Sequence, residues 1–447
     1  MNCLIRVFIT LALTAFTWAQ SPEEQGNPAS TSQGPELMGR GALRVGKTGE
    51  DSTPLSVNMF VNGTYDSLLG SYALDANGDP LQGASYGVEG GLNAKGQKQM
   101  KRSVLGMQYN GSYNYYERLP QFNGTNQALT LGYMRRLSKR WDLTSTNVGS
   151  FTDRVIGNPL SAQAGIDDSM YLPTTELFDS GVYFGQTELQ ANYTKSARWQ
   201  YHVEGSGGLV RRKANGLADV NLYGSGAGAS YRWSRRTTIG LDYKFNHFNF
   251  GQTFGESDNH GLTVGLARQF GRNWQIELRL TGYQQNTTGV RQVQLDPVIA
   301  ALLGRGSGSE VYESSAFLYG YVARVERRFR QSEFIIRSER AIRPGNGLYL
   351  STLTETHSVN YSVRALRKWV FSAGGGLANL KNIGGFGLGE MQSRYFLATV
   401  SRAITNEWSF LGSAEARSLD IRQNGFDRSG NRITVGLSYT PSSIFNH

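Results

Sequence analysis

The stretch GLARQFGRNWQIELRLTGY, residues 265–283, decides the fold. On the far side of its G-R-N break, Trp274, Ile276, Leu278 and Leu280 alternate with Gln275, Glu277, Arg279 and Thr281. Successive side chains of a strand point to opposite faces, so this segment is a strand with one dry and one wet face. Full charges on the wet face need water or an ion-pair partner. Before the break, Leu262, Val264, Leu266 and Phe270 alternate in the same way with Thr263, Gly265, Ala267 and Gln269, which makes the unit a hairpin.

The unit recurs. Short breaks carrying Lys or Arg stand at RRLSKRW (135–141), TKSARW (194–199), RWSRRT (232–237), QFGRNW (269–274), RRFRQSEF (327–334), RALRKW (364–369) and SRAITNEW (401–408), with a looser one at AKGQKQMKRS (94–103). Trp141, Trp199, Thr237, Trp274, Phe334, Trp369 and Trp408 are spaced 58, 38, 37, 60, 35 and 39 residues apart. The shorter spacing holds two strands and one longer connection. The two wide gaps hold the longest loops, 153–178 and 286–312. The breaks join sixteen strands, and segments 55–66 and 431–440 bring the count to eighteen, with sixteen the alternative if the first hairpin pairs poorly. The sequence predicts an all-β, transmembrane, antiparallel up-and-down β-barrel with short periplasmic turns and longer outer loops. So many strands enclose a space that side chains alone do not fill. A soluble propeller or solenoid also repeats near this period, but its blades need four strands apolar on both faces. Nor would it gather Trp at one end, where Trp141, Trp199, Trp233, Trp274, Trp369 and Trp408 all lie beside short turns as an interfacial belt.

Composition agrees. Apolar residues are 39% and charged residues 18%, both below ordinary soluble usage, while 55 Gly, 23 Tyr and 21 Phe suit strands and turns. No stretch approaches the ~20 continuous apolar residues of a membrane-spanning helix. Residues 1–19 read as a secretory signal: a weakly basic start to Arg6, the apolar run VFITLALTAF (7–16), then Thr17-Trp18-Ala19 with small residues before a cleavage site. Cys3, the single cysteine, would leave with it, taking thiol chemistry and disulfides away. Residues 20–54 read as a flexible leader, 55–441 as the barrel and 442–447 as a C-terminal tail. Net charge is +10, but the cations are not run together and an exported chain meets no nucleic acid.

Strand parity turns Glu277, Arg279, Arg324, Glu326, Arg328, Arg337, Glu339, Arg364, Glu415 and Arg417 inward. Most come from 274–367 and would line one sector of the wall. Rings of Arg favour anions, so they form a candidate selectivity surface. The same residues would also serve as an Arg/Glu network that stiffens a wide wall. Catalytic signals are thin. The histidines, His202, His247, His260, His357 and His447, lack metal-ligand spacing, and there is no G-x-S-x-G elbow or P-loop. The chain is therefore expected to be no enzyme and to need no cofactor or metal.

Loop 153–178, DRVIGNPLSAQAGIDDSMYLPTTELF, carries Asp167, Asp168 and Glu176 among apolar residues. At this point the chain, over about 55–440, resembles the porins of Gram-negative outer membranes, in architecture and without a signature motif. The resemblance implies a third loop folded inward, setting Asp167, Asp168 and Glu176 against Arg279, Arg324, Arg328 and Arg337 across a constriction. From its residues alone, the loop also reads as an outer cap folded on itself. In the other long loop, Asp296-Pro297 through Gly304 describes a short helix. Barrels of this kind usually end on an aromatic residue, whereas here Tyr439 is followed by TPSSIFNH.

The expected function is passive diffusion of small hydrophilic solutes through the outer membrane, with some anion preference. Export of a polymer such as an exopolysaccharide, or a structural or adhesive barrel with a plugged lumen, are the alternatives. The expected partners are the outer-membrane bilayer, small solutes and the barrel-assembly machinery.

Overall fold

Each alternating segment picked out above forms a strand in the computed structural model, and the strands meet at the short breaks. The structure describes residues 55–67, 84–153, 181–213, 217–251, 255–294, 307–345, 351–365, 368–383, 390–421 and 426–441. The first strands are β1 (Ser56–Asp66), β2 (Ser85–Gln99), β3 (Ser103–Tyr116), β4 (Gly124–Arg136), β5 (Trp141–Thr152) and β6 (Val182–Thr194). Next come β7 (Trp199–Arg212), β8 (Asp219–Ser234), β9 (Thr237–Gly251), β10 (Gly255–Phe270), β11 (Trp274–Gln294) and β12 (Ser307–Arg328). The last are β13 (Ser332–Pro344), β14 (Ser351–Ala365), β15 (Trp369–Asn382), β16 (Met391–Ala403), β17 (Trp408–Ile421) and β18 (Phe426–Tyr439).

Every strand pairs antiparallel with its neighbours in sequence, and β1 pairs with β18 through rungs such as Met59↔Tyr439 and Asp66↔Arg432. This closes an 18-stranded barrel with no free edge along its circumference. With strands about 4.8 Å apart and tilted about 40°, the wall is roughly 35 Å across. The tight turn of residues 271–273 uses Gly271 at φ 62, a conformation glycine adopts without strain.

The exposed large apolar side chains lie on the outer face all round, among them Val61, Leu131, Val203, Val264, Phe317 and Val435. Soluble monomers rarely expose so continuous an apolar surface. Among the described residues no helix is long and apolar enough to cross a membrane. The six tryptophans among the described residues sit at or beside strand ends at the short turns. Trp141 packs at a tilt against Tyr193 with ring centres 4.9 Å apart, Trp199 against Tyr231 at 4.8 Å and Trp408 against Tyr439 at 4.9 Å.

One expectation needs correction. Residues 286–312 are not one long loop: Asn286–Gln294 pairs rung by rung with Ser307–Ser315, so β11 and β12 have 21 and 22 residues. The wide gap between breaks that suggested a loop is filled largely by this ladder, in which each strand is the other's partner. The proposed helix within 296–304 falls outside the described residues, as do the signal segment, the leader, the tail and the loop bearing Asp167, Asp168 and Glu176.

Candidate functional site: the lumen wall

The inner faces of β11, β12 and β13 bring the charges of one sector together. Register sets Glu277 opposite Arg324, and Arg324 opposite Arg337. Arg279 Nε lies 3.1 Å from Glu277 Oε1, and Arg324 Nη2 donates to Glu326 Oε2 at 2.9 Å. Arg328 also reaches Glu326, and its Nε donates to Glu333 Oε1 at 3.1 Å. Glu339 accepts from Arg337 Nη2 and Arg343 Nη2, each at 2.6 Å.

Burial separates the two signs. Glu277, Glu326 and Glu339 side chains are 1%, 4% and 7% exposed, against 19%, 25% and 28% for Arg279, Arg324 and Arg337. The carboxylates lie against the wall with the guanidiniums over them. Five arginines (279, 324, 328, 337, 343) face four glutamates (277, 326, 333, 339), a formal balance of 5 − 4 = +1 for the sector. The solvent-facing layer is more basic than that balance. Arg364, inward by parity, sits instead at the exposed short-turn rim opposite Val370, apart from this cluster.

A second inward cluster joins β17, β18 and β1. Arg417 pairs with Glu415, and Arg432 Nε lies 3.7 Å from Asp66 Oδ2. Strand parity alone marks Arg432 and Asp66 as inward; what brings them within reach is the closure of the barrel.

On β8, Gly224, Gly226 and Gly228 clear the inner face. A Cβ at Gly228 would collide with Asp242 and His202, and one at Gly226 would lie 2.9 Å from Glu204 Oε1. Side chains of β7 and β9 therefore meet over β8. His202 Nε2 lies 3.4 Å from Asp242 Oδ1, and Lys244 Nζ 3.0 Å from Glu204 Oε1.

Towards the long-loop end the inner face turns apolar. Val148, Val182, Phe184, Val210, Ala218, Val220, Leu222, Phe248, Phe250, Ile342 and Leu353 form one buried cluster, with Tyr283, Leu318 and Ile383 packed against it. Ile342 and Leu353 alternate with inward neighbours, so parity points them outwards. They are nonetheless only 5% and 8% exposed. The pairing explains this, since β12–β13 rungs stop at Tyr321↔Arg340 while β13 runs on to Pro344. Freed from β12, the described ends of β13 and β14 lean into the barrel. Arg212 Nη2 on β7 donates to Gly345 O at 3.3 Å, joining strands 13 − 7 = 6 apart along the sheet. In a circular wall those ends would stand roughly 30 Å apart, so the two sides are drawn together here. Beside this collar, Lys213 Nζ lies 3.0 Å from Asp153 Oδ1 and 4.7 Å from the Phe151 ring. That hydrogen bond holds the Lys213 ammonium pKa above its ordinary value.

Among the described residues no three His, Cys, Asp or Glu side chains are grouped to hold a metal. His260 faces outwards and bonds Tyr243 Oη at 2.8 Å through Nδ1.

The sequence matches no protein-family profile and no curated protein. Among solved structures, the barrel is similar to OccK2 (OpdF) of Pseudomonas aeruginosa in complex with glucuronate, at 11% identity and TM-score 0.43, over 87% of this chain and 98% of that one. It is similar to a BenF-like porin from Pseudomonas fluorescens at 10% identity and TM-score 0.42, over 88% and 99%. It is also similar to the ferric-catecholate import receptor Fiu of E. coli in its open form, at 8% identity and TM-score 0.43, over 87% and 82%. With TM-scores below 0.5 these likenesses add nothing to the strand pairing, which carries the fold by itself.

Proposed function

We propose that the protein is an outer-membrane channel of a Gram-negative-type bacterium, passing small hydrophilic solutes with a preference for anions. The apolar outer face and the aromatic belt at the short-turn end support the membrane placement, with the short turns towards the periplasm. One observation carries the preference: Glu277, Glu326 and Glu339 are buried while the arginines they hold face the lumen. Buried carboxylates fix the guanidiniums in place, and the passing solute meets their N–H edges first. The arginines then serve as structural network and selectivity surface together.

The protein reconstituted in a planar bilayer under a salt gradient tests this. A reversal potential on the anion side is expected, and Arg324→Ala/Arg337→Ala is expected to move it towards zero. A cation-selective wild type would sink the preference, and absence of conductance in every variant would sink the channel.

The apolar collar favours a second reading, a barrel closed at rest. Water and ions cross an apolar constriction poorly, so a closed collar would show as long silent periods between openings. A steady open current would exclude it.

A further inference from the structure

A hollow of about 340 Å³ opens between the β8–β9 and β10–β11 turns, lined by Ser234, Arg235, Arg236, Thr237, Arg268, Gln269, Phe270 and Gly271. Its size is at the small end of ligand pockets, which span about 300–1,000 Å³. Three arginines line it and no carboxylate does.

The two turns are fixed to each other. Gln269 N–H donates to Arg236 O at 2.9 Å, and Arg236 N–H donates to Ser234 Oγ at 3.1 Å. The Arg268 guanidinium lies 4.7 Å from the Phe270 ring centre. A guanidinium held by its face to a ring keeps its N–H edge free for a planar or tetrahedral anion. Among the described residues no ion pair joins Arg235, Arg236 or Arg268 to a carboxylate.

The depth of the hollow selects the anion. Phe270, 43% exposed, lies in its wall, and Trp233, 70% exposed, adjoins Ser234. Both stand at the short-turn end with the belt tryptophans. Aromatic belts mark the level of lipid head groups. On the placement proposed above, the three guanidiniums sit among the phosphates of the periplasmic leaflet.

We infer that this hollow binds the phosphodiester of an anionic phospholipid, one whose head group carries no ammonium. Three cations around one phosphate leave excess positive charge, which repels a choline or ethanolamine head group and accepts a glycerol one. The Ser234 and Thr237 hydroxyls and the Gln269 amide supply further groups able to bond phosphate oxygens or head-group hydroxyls.

The test is native mass spectrometry of the full chain released from vesicles of phosphatidylcholine with and without phosphatidylglycerol. Wild type is expected to retain one phosphatidylglycerol. Each interfacial cation is worth roughly fivefold in affinity, so Arg235→Gln/Arg236→Gln/Arg268→Gln is expected to lower retention on the order of 100-fold. A charge-matched control, Lys139→Gln/Arg140→Gln/Lys195→Gln, is expected to retain lipid like wild type. Equal loss in the control would mean diffuse attraction to a basic rim and would overturn the site. So would undiminished retention in the first variant. Displacement of the lipid by millimolar inorganic phosphate would show a site for the free anion, overturning the lipid assignment. Heat-dependent gel migration reports folding, and if the triple variant fails that check, Arg268→Gln alone is read, with about fivefold loss expected. A chain that inserts in neither vesicle overturns the membrane placement and this site with it; a chain that inserts but retains no lipid overturns the site alone.

Discussion

Glu326 shows how a charged wall is built from single residues. Its carboxylate is nearly inaccessible, and Arg324 and Arg328 both reach it. Removing a buried counter-charge costs more than the pair contributes, because the charges left behind stay desolvated. Glu326→Gln is therefore expected to lower unfolding stability by about 3 kcal/mol, the low end of the range since Arg328 is half-exposed. The same change frees positive charge towards the lumen and should increase anion preference. Denaturant midpoint and reversal potential, read on one preparation, are expected to move in those opposite senses; a stable variant with unchanged potential would deny Glu326 both roles. The sequence placed Glu326 inwards through alternation alone. It did not say which arginines lie over it, because that depends on inter-strand register.

Among elements, β8 and the described ends of β13 and β14 do the most to shape the lumen. β8 contributes absence: three inner glycines leave room for His202–Asp242 and Glu204–Lys244 to close above it. Gly228→Val is expected to cost about 1–3 kcal/mol through overpacking, seen as a lower midpoint of heat-dependent gel migration. Gly205→Ala, where an added Cβ meets nothing within 4 Å, is expected to leave that midpoint alone. The ends of β13 and β14 narrow the passage, and Ile342→Ser/Leu353→Ser should loosen the collar and raise the mean open current. An unchanged current would show that the collar does not limit flow. Short turns were legible in the sequence because Gly271, the Lys/Arg pairs and the flanking Trp mark them locally. The collar was not. Phe248 and Phe250 have inward parity, but their burial depends on Ile342 and Leu353 arriving from strands several positions away, against their own parity.

At the scale of the whole molecule, closure by β1–β18 makes the barrel one cooperative unit, and the lumen charges act as a field. A field is screened over about 10 Å at 0.1 M salt and about 3 Å at 1 M. Anion preference from the β11–β13 wall is accordingly expected to fall by roughly half or more between those conditions, measured as reversal potential at a constant gradient ratio. A preference independent of salt would require close contact with every passing ion. The barrel class was legible because its two periodicities, alternation within strands and breaks between them, are local and repeated many times. The tall β11–β12 hairpin was missed because only its own partner makes it a strand. It runs five residues beyond its last rung with β10, from Gly289 to Gln294, or roughly 13 Å along the barrel axis. On a living cell that projection would be the landmark an antibody or a phage tail fibre meets before the membrane. Its regular two-stranded form also makes it portable as an epitope. Antibodies raised against a cyclised peptide of residues 286–315 are expected to label intact cells.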